Sequence, residues 1–153
     1  MAVKTEKFKK AAELRLSDGS HLKGSFFLYS QSPEHEGAEL IFDTLNGKKR
    51  FIPMEVPGGD VVLIQKDCIV TAKLAEEEWV PDETYVKEIR VRVSLLSEER
   101  SLDGKIFVDL PEERSRLSDF FNHYKGFFYL NVDRAQHLVN FSFVKNVSHH
   151  KPS

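Results

Sequence analysis

Two pairs of polar residues have a spacing that would suit a shared binding role. Asp43 and Asn46 stand three positions apart, and Asp119 and Asn122 repeat the same spacing. On a helical turn, residues three apart lie on one side, so a carboxylate and an amide could hydrogen-bond a partner together. The alternative is local: Asp accepts from nearby backbone N–H groups, and Asn ends the turn in a left-handed conformation. We favour the local role and keep all four as candidate binding residues.

Basic residues offer a second kind of interaction, with phosphate. Lys49, Arg50 and Lys66 could each contact a phosphate group singly. The net charge is −2, and residues 75–89 hold six acidic residues against one lysine. Neither flanking half has the basic field that drives binding to a nucleic-acid backbone. We therefore treat binding of RNA or a nucleotide, in a groove between two small barrels, as the alternative function.

The residue types that perform catalysis or bind metals are present without a matching arrangement. The six histidines are scattered, and only His149 and His150 are adjacent, without a third ligand at metal-site spacing. The sequence has no nucleophile elbow and no glycine-rich phosphate loop. We therefore predict a protein that is not an enzyme and that has no metal or cofactor.

The chain contains an internal repeat, which gives these residues their setting. Similar segments recur in the same order, about 76 residues apart. The aligned segments are 14–16 with 91–93, 22–27 with 102–107, 41–46 with 117–122, 51–54 with 127–130, and 61–74 with 137–147. The shared order predicts a tandem duplication.

Each copy is predicted to form two strands, a short helical turn and two further strands. Asp18-Gly19 between alternating apolar residues indicates a hairpin. Gly24 and Gly104 interrupt the second strand, as a bulge or tight bend would. The segment 60–74 should break near Lys66.

The helical turn is clearest in the second copy. Leu117, Phe120 and Phe121 have the spacing of one helical face. Ser115 precedes them and is the candidate N-cap.

Bent strands in a module of about 60 residues are expected to close into a barrel, which removes exposed edges. The first copy resembles Sm-like and SH3-like barrels. We predict a mostly β fold: a tandem duplication of a small bent-strand barrel, each copy with one short helical turn. The boundaries are a first module at 1–74, an acidic connector at 75–89, a second module at 90–147 and a tail at 148–153.

The second copy contains Arg-Leu-Ser-Asp-Phe-Phe-Asn at 116–122 and Phe-Phe-Tyr-Leu at 127–130. Matching segments of the first copy lie at 42–46, 51–54 and 63–70. This pattern resembles a bacterial domain-of-unknown-function family over nearly all of the chain except the first dozen residues, the connector and the tail. The resemblance supports the fold and implies no activity.

Adjacent aromatic residues predict contact between the two copies. Neighbouring residues on a strand point to opposite faces, so Phe26-Phe27 and Phe127-Phe128 each turn one ring away from their own core. We expect the sister copy to cover these rings, with Trp79 of the connector packed between the copies. Residues 75–82 should be mobile or exposed, because the consecutive residues Glu76, Glu77 and Glu78 repel one another and cannot be buried unpaired.

The absence of a catalytic arrangement and the paired aromatic residues favour an interaction function. We predict a cytoplasmic, non-enzymatic module that binds a protein partner or forms a homodimer. No apolar run is long enough to span a membrane, so no membrane association is expected.

Overall fold

The computed structural model describes residues 6–82, 86–96 and 100–150, which form a mostly β protein. The strands are β1 (Lys7–Leu16), β2 (His21–Tyr29), β3 (Phe51–Glu55), β4 (Val61–Gln65), β5 (Ile69–Leu74), β6 (Lys87–Leu95), β7 (Ser101–Val108), β8 (Phe127–Val132), β9 (Ala135–Asn140) and β10 (Val144–His149). The helices are α1 (Ile41–Leu45) and α2 (Leu117–His123). We call β1–β5 with α1 the first half, and β6–β10 with α2 the second half.

The first hairpin lies where the sequence predicts it. β1 and β2 pair antiparallel, with Leu14 opposite Leu22. The carboxylate of Asp18 accepts hydrogen bonds from the backbone N–H and the hydroxyl of Ser20, at 2.9 and 2.6 Å. Gly19 has a φ of 88°, in the left-handed region that glycine adopts without a steric penalty. The turn chemistry thus fixes the register of the hairpin.

The last strand segment of each half is interrupted by a 3₁₀ turn. Lys66–Cys68 separates β4 from β5, which confirms the predicted break, and Phe141–Phe143 separates β9 from β10. A register shift follows at the start of both β5 and β10. The skipped residues are Val70, between the partners of Leu16 and Arg15, and Lys145, between the partners of Leu95 and Ser94.

All ten strands form one antiparallel sheet in the order β10-β6-β7-β8-β9-β5-β1-β2-β3-β4. Each half therefore arranges its five strands in the same relative order. The alignment of residues 14–16 with 91–93, made from the sequence, differs from the strand pairing by two residues. Leu14 lies opposite Leu22 and Val93 lies opposite Leu102, so Leu14 corresponds to Val93 rather than to Val91. A shift of two residues keeps every side chain on the same face.

The sequence predicts that each half closes on itself as a barrel, and the pairing differs from this expectation. Within the described ranges, the ladders leave β10 and β4 at the two ends of an open order. Closing the second half as a barrel would pair β9 with β10. Instead, β9 pairs with β5 of the first half. Pairing between the halves thus covers the edges of β5 and β9, which barrel closure within each half was expected to cover.

Gly24 and Gly104 lie where another strand crosses very closely. A Cβ atom on Gly24 would lie 2.8 Å from the carbonyl oxygen of Glu55, and one on Gly104 would lie 2.4 Å from that of Asn131. Both glycines precede the point where the second strand of a half turns to pair with the third. The predicted tight bend is therefore a close backbone approach that leaves no space for a side chain.

Two hydrophobic cores fill the halves, and each contains residues from the other half. The first core includes Phe127 and Leu138 of the second half, and the second core includes Val70 of the first. The ladder between β5 and β9 joins Thr71 to Val139, Ala72 to Leu138 and Lys73 to His137. We call this ladder and its flanking contacts the junction. Phe127, next to Phe128, is covered by the sister half as predicted. Among the described residues, no helix has the length and apolar character needed to cross a membrane.

Candidate functional site

The connector is attached to both halves through Glu78. Its carboxylate accepts hydrogen bonds from the backbone N–H groups of Ile41 and Phe42, at 2.8 and 3.0 Å, and from the hydroxyl of Tyr129 at 2.6 Å. Glu76 and Glu77 are exposed as predicted, whereas Glu78 is half-buried. The prediction was wrong for Glu78 because the first N–H groups of α1 have no partner within the helix and a carboxylate satisfies them.

Gln136 of β9 holds the next part of the connector. Its side-chain oxygen accepts from the backbone N–H groups of Glu78 and Trp79, at 2.9 and 3.2 Å. Its side-chain nitrogen donates to the carbonyl of Trp79 at 2.9 Å and to the side-chain oxygen of Asn131 at 3.2 Å. Gln136 is buried, and these four bonds satisfy its amide.

Trp79 lies at one end of a column of three stacked rings. Its indole stacks on Tyr129 at 5.1 Å between centroids, and Tyr129 stacks on Phe42 at 5.0 Å. Phe107 meets the indole edge-on at 5.8 Å. The column joins α1, β8 and the connector. Its middle ring, Tyr129, contacts α1 of the first half, whereas the ring contacts described for Trp79 are with the second half. Burial, together with the neighbouring Glu78 carboxylate, raises the pKa of Tyr129, so its hydroxyl remains a donor.

A cavity of about 500 Å³ lies beside this column, between the two halves. This volume is within the range of small-molecule sites, which are mostly apolar with a few polar groups. The polar residues at the cavity are His35, Asp43, Asn46, Asp109 and Lys125. The aromatic residues that line it are Phe42, Trp79, Phe107, Phe120, Tyr124, Phe127, Phe128 and Tyr129.

Asp43 is one of two predicted site residues at the cavity. Its carboxylate accepts from the backbone N–H of Leu40 at 2.8 Å and contacts Nε2 of His35 at 2.6 Å. The carbonyl of Glu36, at 2.8 Å from Nδ1, and then Asp43 raise the pKa of His35. The loop before α1 is therefore held against the helix by the carboxylate that also caps it.

Asn46 is the other predicted site residue at the cavity, and it spans the junction. Its side-chain oxygen accepts from the N–H of Phe127 at 2.7 Å, and its side-chain nitrogen donates to the carbonyl of the same residue at 3.2 Å. The prediction of a left-handed Asn was wrong, because Asn46 has a φ of −99°. The side chain binds the neighbouring half instead of ending the turn by its backbone conformation.

Asp119 and Asn122 lie outside the cavity lining and make contacts close in sequence. Asp119 accepts from the backbone N–H of Arg116 at 3.0 Å, which repeats the role of Asp43. Asn122 donates to the carbonyl of Ser118 at 2.7 Å. Ser115 is not the N-cap of α2; Arg116 occupies that position, and the Ser115 hydroxyl donates to the carbonyl of Glu112.

The basic candidates lie away from the cavity, near the turn between α1 and β3. Lys49 and Arg50 are exposed, and the ammonium of Lys66 donates to the carbonyl of Gly47 at 2.6 Å. The structure thus brings Asp43 and Asn46 together at the cavity and keeps the three basic residues at a separate surface. In the parts of the chain that are described, no three potential metal ligands cluster.

An exposed apolar face lies on β3 and β4, at one end of the sheet. Phe51 is 48% exposed, Val61 56% and Leu63 67%. Leu63 pairs with Pro53, and Val61 and Phe51 flank this pair on the same face. We call Phe51, Pro53, Val61 and Leu63 the β4 face.

Sequence reasoning missed Glu78, Tyr129 and Gln136, although it identified Trp79. The hydrogen bond from Tyr129 to Glu78 spans 51 positions, and the one from the backbone of Glu78 to Gln136 spans 58. Nothing local in the sequence signals such a pairing. In comparisons with known proteins, the chain matches no family model, no curated protein and no solved structure.

Proposed function

We propose that this protein is a non-enzymatic protein-interaction module, and that a protein partner docks on the β4 face by adding a strand to β4. The observation that carries this proposal is the exposure of three large apolar side chains on one face of the last two strands of the sheet: Val61 and Leu63 on β4, and Phe51 on β3. Contiguous exposed apolar surface typically marks an interaction site. A strand with one unpaired edge also offers the backbone N–H and C=O groups of that edge to another strand.

The wider architecture that we propose is a tandem duplication of a small Sm/SH3-like module. Its support is the shared strand order, the 3₁₀ turn and register shift before the last strand of each half, and the close backbone approach at Gly24 and Gly104. These features recur at matching positions in the two halves, which supports an origin by duplication.

Site-specific photo-crosslinking tests the docking proposal. A benzophenone amino acid at Phe51 should form a crosslinked species, in cells or extracts of the native host, that the same group at Val80 does not form. Val80 is a matched control because it is also exposed and apolar but lies in the connector. Adding Leu63→Lys should abolish the Phe51 crosslink, since an ammonium on the β4 face opposes apolar docking. Mass spectrometry then identifies the crosslinked chain. Equal crosslinking at both positions would contradict the proposal.

The cavity between the halves favours a second candidate function, the binding of a planar ring such as a nucleobase. Aromatic side chains bind bases by stacking, and the cavity is lined by eight of them. Asp43 and Asp109 accompany Lys125 there, which favours recognition of a base over recognition of a phosphate.

Fluorescence measures this second candidate directly, because Trp79 is the single tryptophan of the chain. Titration with adenosine should change its emission saturably, and Tyr124→Ala, which removes part of the cavity wall, should weaken the effect. AMP should bind no more tightly than adenosine. A response no different from that of free N-acetyltryptophanamide would exclude base binding.

A further inference from the structure

The junction shows what covers a β4-type strand inside this molecule. At the junction, β9 occupies in its half the place that β4 occupies in the first. Asn140 lies opposite Phe127 as Gln65 lies opposite Phe51, and Leu138 lies opposite Tyr129 as Leu63 lies opposite Pro53. The ladders therefore assign each residue of the β4 face a counterpart at the junction.

These counterparts differ sharply in burial. Phe127 is 4% exposed and Leu138 is 0% exposed, and both belong to the core of the first half. Phe51 and Leu63, in the same places, rank among the most exposed apolar side chains described. The β4 face is thus built like a surface that an adjoining half covers, and within one chain no described half adjoins it.

The opposite end of the sheet has the elements that correspond to those covering β9 at the junction. β10 occupies in its half the place of β5, the strand that receives β9 at the junction. Asn46 binds both backbone polar groups of Phe127 across the junction. Its counterpart Asn122 is exposed on α2 and bonds only within its own helix among the hydrogen bonds described.

We propose that the partner on the β4 face is a second copy of this chain, joined head to tail: β4 of one molecule pairs with β10 of the next, and Asn122 of the next binds the backbone of Phe51. This inference rests on the proposed function and names its partner. The interface is heterologous, so repetition gives a closed ring or an open filament.

One difference between β10 and β5 should make the contact between molecules weaker than the junction. Lys145 lies on β10 where β5 has Val70, and Val70 is buried in the second core. A lysine on an edge strand limits strand pairing. Association is therefore reversible, and Lys145→Val should lower the concentration for half-association by roughly tenfold, as expected for burying one valine.

Two variants test the direction of assembly by sedimentation velocity on the full-length chain. Leu63→Lys disables the β4 end, and Asn122→Arg disables the β10 end. Wild type should form dimers and larger species as concentration rises. Each variant alone should remain monomeric, while an equimolar mixture should form a dimer and nothing larger, because one intact end of each kind remains. Val61→Lys serves as a second β4-end variant, Val80→Lys as the control that still assembles, and circular dichroism as the check on folding.

The remaining outcomes overturn the inference in distinguishable ways. A wild type that stays monomeric at its highest soluble concentration excludes the second copy; a crosslink from Phe51 to another protein would then preserve the proposed function alone. A dimer that persists in Asn122→Arg but disappears in Leu63→Lys would show face-to-face pairing of two β4 strands. A mixture that remains monomeric, although wild type assembles, would also exclude the head-to-tail contact.

Discussion

His137 shows how the junction changes the chemistry of a single side chain. It lies on β9, paired with Lys73 of β5 across the junction. Burial first, and then the charges of Lys73 and Arg15, lower its pKa from 6.5 to about 4. The neutral imidazole is therefore the form that the folded chain accommodates.

This shift predicts a dependence of stability on pH. Between pH 6.5 and about 4, the unfolded chain binds a proton at position 137 that the folded chain does not bind. Stability should thus be complete above pH 6.5 and fall as the pH drops toward 4. His137→Gln should remove on the order of 2 kcal/mol from the difference between the free energies of unfolding at neutral and acidic pH. Urea unfolding across this range measures it, with exposed His149→Gln as control; a slope unchanged in His137→Gln would contradict the assignment.

The Asp-x-x-Asn spacing shows how far residue types alone could predict the candidate site. The role of the two aspartates followed from local chemistry, since each accepts from the N–H three residues earlier. The two asparagines share the same spacing from an aspartate and have different contacts, because only Asn46 bonds to the neighbouring half among the hydrogen bonds described. Which of two identical motifs meets a partner depends on the order of strands in the sheet, and no local pattern contains that information.

The connector packs as a structural element, although its described residues before β6, 75–82 and 86, have no regular secondary structure. Local sequence indicated its exposure from its charge, and this was right for Glu76 and Glu77. It could not indicate that Glu78 faces the first N–H groups of α1. Alternation and turn residues did predict the hairpin at Asp18-Gly19 and the break at Lys66, since these depend on residues adjacent in sequence.

Two neighbouring glutamates provide a test of the connector. Glu78→Gln should lower the free energy of unfolding by about 1–3 kcal/mol, because a neutral amide oxygen replaces a carboxylate that accepts from two N–H groups and one hydroxyl. Glu77→Gln removes the same charge at an exposed position and should change it by less than about 0.5 kcal/mol. Thermal or urea unfolding compares them. Equal effects would mean that charge in the connector matters and the contacts of Glu78 do not.

At the scale of the whole molecule, the exchange of core residues makes the halves interdependent. Without the second half, the first core loses Phe127 and Leu138; without the first, the second core loses Val70. Losing one large core side chain typically costs about 2–5 kcal/mol, against a total stability of about 5–15 kcal/mol for a domain. The mostly β class and the contact between the halves were predictable from apolar patterning. The open order of ten strands was not, because closing each half and pairing the two halves would bury the same kind of strand edge.

Separate expression of residues 6–82 and 86–150 tests this interdependence. The full chain should unfold in a single thermal transition, and each half alone should unfold without cooperativity or aggregate. Mixing the halves should restore the cooperative transition, which controls for damage caused by cutting the chain. Two well-folded halves, with melting temperatures that reappear as two transitions in the full chain, would show that the shared cores contribute little.

Because the first core contains residues of the second half, this core cannot be completed until the ribosome has synthesised them. A ribosome completes β5 before it has made Phe127, which comes about 50 residues later, so at ordinary elongation rates the first half waits about 3–10 s for this ring. During that interval the site in the first core that Phe127 and Leu138 fill is open to any apolar segment nearby, including one from a neighbouring ribosome on the same message. Slow codons between β5 and β8 would prolong this exposure, and their replacement by fast codons would shorten it.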